Sequence, residues 1–197
     1  MLNLAENHRK AIYFGALGLL LFAVIGITRL KTTGNVVDDI PHNHPIYTDM
    51  LFFQHEFRGI LPFEVTIDTR KPRGVMRMST IQKISDLQDT LAKFPEFSKP
   101  LSVAELVKAS KQAFYNGNPK MYSLPNNQER NFILGYLPSF KSEKRTIINS
   151  FVDTSLSKTR ISVQMASIGT HEIQRIKDEL RPAIDHLFPP DKYDVDI

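Results

Sequence analysis

Apolar and polar positions alternate along "ILPFEVTIDT". Leu61, Phe63, Val65 and Ile67 fall on one side and Glu64, Thr66 and Asp68 on the other, the period of a strand with one buried face. Pro62 marks a strand start or an edge. The same alternation returns in "TRISVQMASIG", with Ile161, Val163 and Met165 against Ser162 and Gln164, and again in "YDVDI" at residues 193–197. Between these stretches the period lengthens. Ile81, Ile84, Leu87, Leu91 and Phe94 make one helical stripe, opened by a Ser79–Gln82 capping box. "FSKPLSV" reads as short and extended. Ser102 with Glu105 repeats the capping pattern ahead of a helix bearing Val103, Leu106, Val107, Ser110 and Phe114 on one face, and Asn126 with Glu129 caps a further short helix. Thr170 opens a last helix through Ile173, Ile176, Leu180, Ile184 and Leu187, which Pro182 should kink.

The order is strand–helix–strand, a largely helical insertion over about 104–158, then strand–helix–strand. It predicts an α+β fold, a split βαβ, ferredoxin-like sheet with helices on one face, spanning 60–197.

Ahead of it, "AIYFGALGLLLFAVIGI", Ala11–Ile27, carries no charge over 17 residues. Arg9 and Lys10 bound one end, Arg29 and Lys31 the other, and Tyr13 sits near an interface position. This pattern predicts a membrane-spanning helix within residues 1–31, near the lower limit of length. Gly15 and Gly18 have GxxG spacing, a weak packing signal. Residues 32–59 form a lead-in: an extended piece ending at Pro41, "HNH" between Pro41 and Pro45, and a helix-like patch of Ile46, Met50, Leu51, Phe53 and Phe57 stopped at Gly59.

Charge changes the picture little. Of the net +4, residues 1–31 hold +3, beside the apolar run, and the remainder is close to balanced. Clustering of the kind a nucleic-acid face needs is missing. With no cysteine in the chain, thiol chemistry, disulfides and Cys-ligated zinc are excluded.

The candidate chemistry is sparse. His42, His44 and the His55–Glu56 pair do not match a zinc spacing. Asp38 and Asp39 point oppositely on an extended chain, and Asp194 and Asp196 read as the wet face of a strand. No GxSxG and no glycine-rich phosphate loop occurs. The expectation is no catalytic residue, no cofactor and no metal. Phe114 with Tyr115, and Phe132 with Tyr136, are the candidates for lining an apolar substrate cleft, with core packing as the competing reading.

Taken together, the apolar run, "TRLKTTGNVVDDIP", "FFQHEFRGILPFEVTID" and "TRISVQMASIGTHEIQRIKDELRPAID" resemble the RND superfamily of bacterial exporters, its MMPL-like branch, over about residues 8–197. The resemblance implies the extracytoplasmic, periplasmic portion of an inner-membrane exporter of lipids or other amphiphiles, driven by the proton gradient in the parent protein. It implies the lipid bilayer, the parent's other transmembrane helices or equivalent subunits, and an amphiphilic substrate as partners, and no nucleic acid. The segment after the span would be a structured lead-in that fixes the angle of entry. The family carries about a dozen spans and two such domains, and its proton-relay acids lie in helices this chain lacks. The chain therefore reads as a fragment, inactive alone. The competing reading is a single-span envelope adaptor.

Overall fold

The computed structural model describes residues 9–29, 40–136 and 147–197. The chain divides into two compact units, Met1–Thr33 and Gly34–Ile197.

The described part of the first unit is helix α1, Arg9–Arg29. Here the expectation of a membrane-spanning helix is corrected. Among the described residues, no helix is long and apolar enough to cross a membrane. The physical reason is length: the 17 charge-free residues Ala11–Ile27 rise only about 26 Å at 1.5 Å each, short of a ~30 Å hydrocarbon core. Its side chains from Tyr13 to Arg29 are exposed, and Gly15 and Gly18 have no atom within 4 Å of a Cβ built on them. The extended lead-in with Asp38 and Asp39 lies outside the described residues.

The second unit begins its described part with α2, Pro45–Glu56, whose N-cap His44 accepts from the Ile46 N–H through Nδ1 at 3.3 Å. Strand β1, Leu61–Asp68, follows. Then come α3, Met78–Leu91, α4, Val103–Phe114, and α5, Arg130–Tyr136. Strand β2, Lys158–Met165, α6, Thr170–Leu187, and β3, Asp194–Asp196, complete it. The sheet has three strands in the order β2–β1–β3, and both pairings are antiparallel. The fourth strand expected at "FSKPLSV" is reduced to two bridges, Phe97 to Met165 and Leu101 to Ser162, on the outer edge of β2. Pro100 lies between the bridges and has no N–H to donate.

Alternation along β1 and β2 puts Phe63, Val65, Ile67, Ile161, Val163 and Met165 inside. Helix α3 covers that face with Ile81, Ile84, Leu87 and Leu91, and α6 with Ile176, Leu180 and Ile184. Each such side chain contributes about 1.5–3 kcal/mol on burial.

Beyond the end of α2, whose C-cap is Phe57 and whose left-handed residue is Arg58, lies Gly59. At φ +148°, a Cβ there would lie 2.4 Å from the Met165 carbonyl carbon, so the strand edge packs directly on its backbone. Two expected caps shift. Helix α3 starts at Met78 with Arg77 as N-cap and no side-chain cap bond, so Ser79 is inside the helix and Gln82 instead donates to Asp86 at 2.9 Å. Gly169, rather than Thr170, is the N-cap of α6.

Candidate functional site

The aromatic candidates gather on the insertion. Phe114 ends α4 and meets Tyr115 edge-on, with ring centroids 5.3 Å apart. Phe132 lies on α5 and is 68% exposed. Tyr136 is the last residue of α5, and its side chain lies outside the described residues. Phe114 is 44% exposed, so neither phenylalanine is a core side chain. The buried face of α4 is rotated from the expected stripe: it runs through Val103, Val107 and Lys111, at four-residue steps that keep one face. Lys111 takes the place in the stripe expected for Ser110 and Phe114, and its stem packs in the interior.

What the insertion concentrates is charge on α4. Lys111 Nζ lies 2.9 Å from Glu129 Oε2 and donates to the Leu124 carbonyl at 3.3 Å. Tyr115 donates its hydroxyl to Glu129 Oε1 at 2.8 Å. The Asn126 N–H donates to Glu129 Oε2 at 3.0 Å, and the Glu129 N–H returns a bond to Asn126 Oδ1 at 2.8 Å. This is the capping box read from sequence, with its carboxylate serving two further partners. Lys111, the Asn126 N–H and Tyr115, in that order, hold the Glu129 carboxyl down at about 2.

One turn from the start of α4, Glu105 is buried. It accepts from Tyr122 at 2.5 Å and pairs with Lys108 at 2.9 Å and Lys99 at 3.1 Å. Burial pushes its pKa up, but Tyr122, Lys108 and Lys99 together outweigh burial and hold it below the usual carboxylate range. Ser102, the α4 N-cap, accepts from the Ala104 N–H at 3.0 Å and donates to Gln88 Oε1 at 2.9 Å. The expected Ser102–Glu105 box is therefore half formed, because Glu105 turns to the lysines. Carboxylates held ionised and paired with ammonium groups are poor proton acceptors. The arrangement fastens α4 to its neighbours.

The remaining candidates are dispersed. His42 stacks on Tyr47 with ring centroids 4.5 Å apart, His44 caps α2, and His55 Nδ1 lies 3.0 Å from Glu56 Oε1. Asp194 and Asp196 are exposed on β3. Among the described residues, no group of three or more His, Asp or Glu side chains is placed to hold a metal ion.

Among the described residues of the second unit, clefts open at several places. One of about 400 Å³ lies over the wet face of β1 and β2, where Arg160 Nη1 meets Glu64 Oε1 at 2.9 Å. One of about 620 Å³ is lined by Leu51, His55 and Arg58 together with Pro95 and Ala166. A third, of about 500 Å³, is lined by Arg73, Arg77 and Arg130 with Met76, Met78 and Ser79. Phe114, Tyr115 and Phe132 line none of these clefts. Sequence reading passed over the third cleft because Arg130 is remote in sequence from the other two arginines. The only local signal was Arg73 and Arg77 four residues apart. No family model, no curated protein and no solved structure matches this chain.

Proposed function

We propose that the Gly34–Ile197 unit is a porter-like, non-catalytic module of an RND/MMPL-like exporter of lipids or other amphiphiles. It works on the extracytoplasmic side of the bacterial cell membrane. The membrane passages and the coupling to the proton gradient belong to other parts of that machine or to partner subunits. The observation that carries the reading is topological. The segment β1–α3–(97–101) and the segment β2–α6–β3 interleave in one sheet, with 97–101 and β3 on opposite outer edges. The α4–α5 insertion leaves between them, and its ionic network ties it to the rest. Such a body handles substrate by shape and by displacement of the insertion, using clefts rather than reactive groups. Reporter fusions after Pro100 and after Ile197 test the location. The reading expects activity from a reporter that folds only outside the cytoplasm, and activity from a cytoplasm-only reporter contradicts it.

A second reading is favoured by α2. No residue of this helix is buried, and Ile46, Leu51, Phe52 and Phe53 are exposed. It makes the chain an envelope interaction module that docks α2 on a partner. A partner crosslinked to wild type and lost in Phe52→Asp/Phe53→Asp, with amphiphile export unchanged, supports this reading over the first.

A further inference from the structure

We propose that the cleft lined by Arg73, Arg77 and Arg130 binds a phosphate-class oxyanion, free or as the headgroup of an amphiphile. The proposal goes beyond the export reading and does not depend on it.

Three arginines line one opening of about 500 Å³, and among the described residues its lining contains no acid. Among the described residues, none of the three has a carboxylate partner. This sets them apart from Arg160 and Arg175, which pair with Glu64 and with Glu96, Glu172 and Glu179. Like charges brought together by a fold repel one another unless an anion joins them. Guanidinium is the side chain whose planar fork matches phosphate oxygens two at a time.

The cations come from separate elements, and their backbones are held. Arg73 sits at φ 57°, a conformation that L residues adopt only where the surroundings impose it. The surroundings are a hydrogen-bonded turn: the Arg73 N–H donates to the Ser155 carbonyl at 3.0 Å, and the Val75 N–H to the Leu156 carbonyl at 3.0 Å. Thr69 Oγ1 donates to the Ser157 carbonyl at 2.8 Å. Gly74 admits no side chain there, since a Cβ would fall 2.1 Å from Thr69 Oγ1. Arg77 is the N-cap of α3, which has no acid in its first turn, so the positive end of that helix adds to the field. Arg130 opens α5, placed by the Asn126–Glu129 box. Met76 and Met78 give the cleft an apolar wall, suited to the first carbons of an acyl glycerol phosphate.

Titration calorimetry on the full chain tests this with inorganic phosphate, dioctanoyl phosphatidate below its micelle concentration, and neutral dioctanoylglycerol. The proposal expects saturable binding of phosphate or phosphatidate. It expects Arg73→Gln/Arg77→Gln/Arg130→Gln to weaken that binding by at least about tenfold. A control with the same loss of charge elsewhere, Lys93→Gln/Lys120→Gln/Lys192→Gln, should bind like wild type. All six side chains are exposed, so neither variant threatens the fold, and unchanged circular dichroism verifies that. Phosphate and phosphatidate binding equally would assign a free oxyanion. Phosphatidate binding more tightly, with the excess lost in Met76→Ser/Met78→Ser, would assign a lipid headgroup. Absence of binding to wild type overturns the proposal, as does an equal loss in both triple variants or binding of the neutral lipid as tight as that of phosphatidate. None of these results bears on export, which is measured separately in cells.

Discussion

Lys111 Nζ lies 2.9 Å from Glu129 Oε2, with the lysine side chain 9% exposed and the glutamate 18%. The pair joins the buried face of α4 to the turn that starts α5. A pair so enclosed contributes less through its own attraction than through the cost of separating it. Glu129→Gln leaves an ammonium inside with a carbonyl for company and should destabilise the chain by about 3 kcal/mol. Lys111→Met/Glu129→Gln should cost clearly less than the sum of the two single changes, since no charge is then stranded. Urea denaturation of the four proteins measures both values.

The same carboxyl makes stability fall in acid. Glu129 is held at about 2 against an ordinary value of 4.5, and Glu105 is also lowered. A carboxyl whose folded pKa lies below its unfolded one contributes stability above the unfolded value, and that stability is lost as the pH falls toward the folded one. Stability should therefore decline as the pH drops from about 5 toward about 2, and the decline should be shallower in Glu129→Gln. Unfolding midpoints across that window provide the comparison.

Two phenols report the network at the alkaline end. Tyr115 is raised first by its bond to Glu129, and Tyr122 first by burial and then by its bond to Glu105. In an ultraviolet titration, Tyr115 and Tyr122 should ionise later than free tyrosine. Glu129→Gln should return Tyr115 toward the ordinary range and leave Tyr122 late. Ionisation of Tyr115 and Tyr122 where free tyrosine ionises would contradict the two bonds.

Glycine substitutions should separate steric need from conformational need. Gly59→Ala drives a Cβ into the Met165 backbone, and Gly74→Ala drives one into Thr69; each should cost more than about 2 kcal/mol. Gly117, at φ +78° with nothing within 4 Å, should cost only about 1 kcal/mol as alanine. Thermal melts rank the three.

Much of this architecture is written in short-range periodicity. Phe63, Val65 and Ile67 had to share a strand face, and Ile81, Ile84 and Leu87 a helix face, because the pleat and the helical turn leave few alternatives. Asn126 and Glu129 announced their reciprocal bonds for the same local reason. What escaped depends on distance along the chain. Phe97–Leu101 looked like a strand, but Pro100 and a single neighbouring strand leave it two bridges. The apolar run Ala11–Ile27 looked like a span, yet its rise falls short of the hydrocarbon core. Lys111 hid in an apolar stripe because a lysine stem packs like an aliphatic side chain. Arg130 joins Arg73 and Arg77 only through the fold of the insertion, which no local pattern encodes.

The central claim, a module that serves amphiphile export, is tested most directly by efflux from whole cells. Cells of the source organism with the gene deleted are loaded with a fluorescent amphiphile, and its loss is followed with and without the gene restored. The account predicts that deletion slows efflux and that restoration brings back the wild-type rate. Identical efflux in the three strains, for anionic and neutral amphiphiles alike, would contradict it.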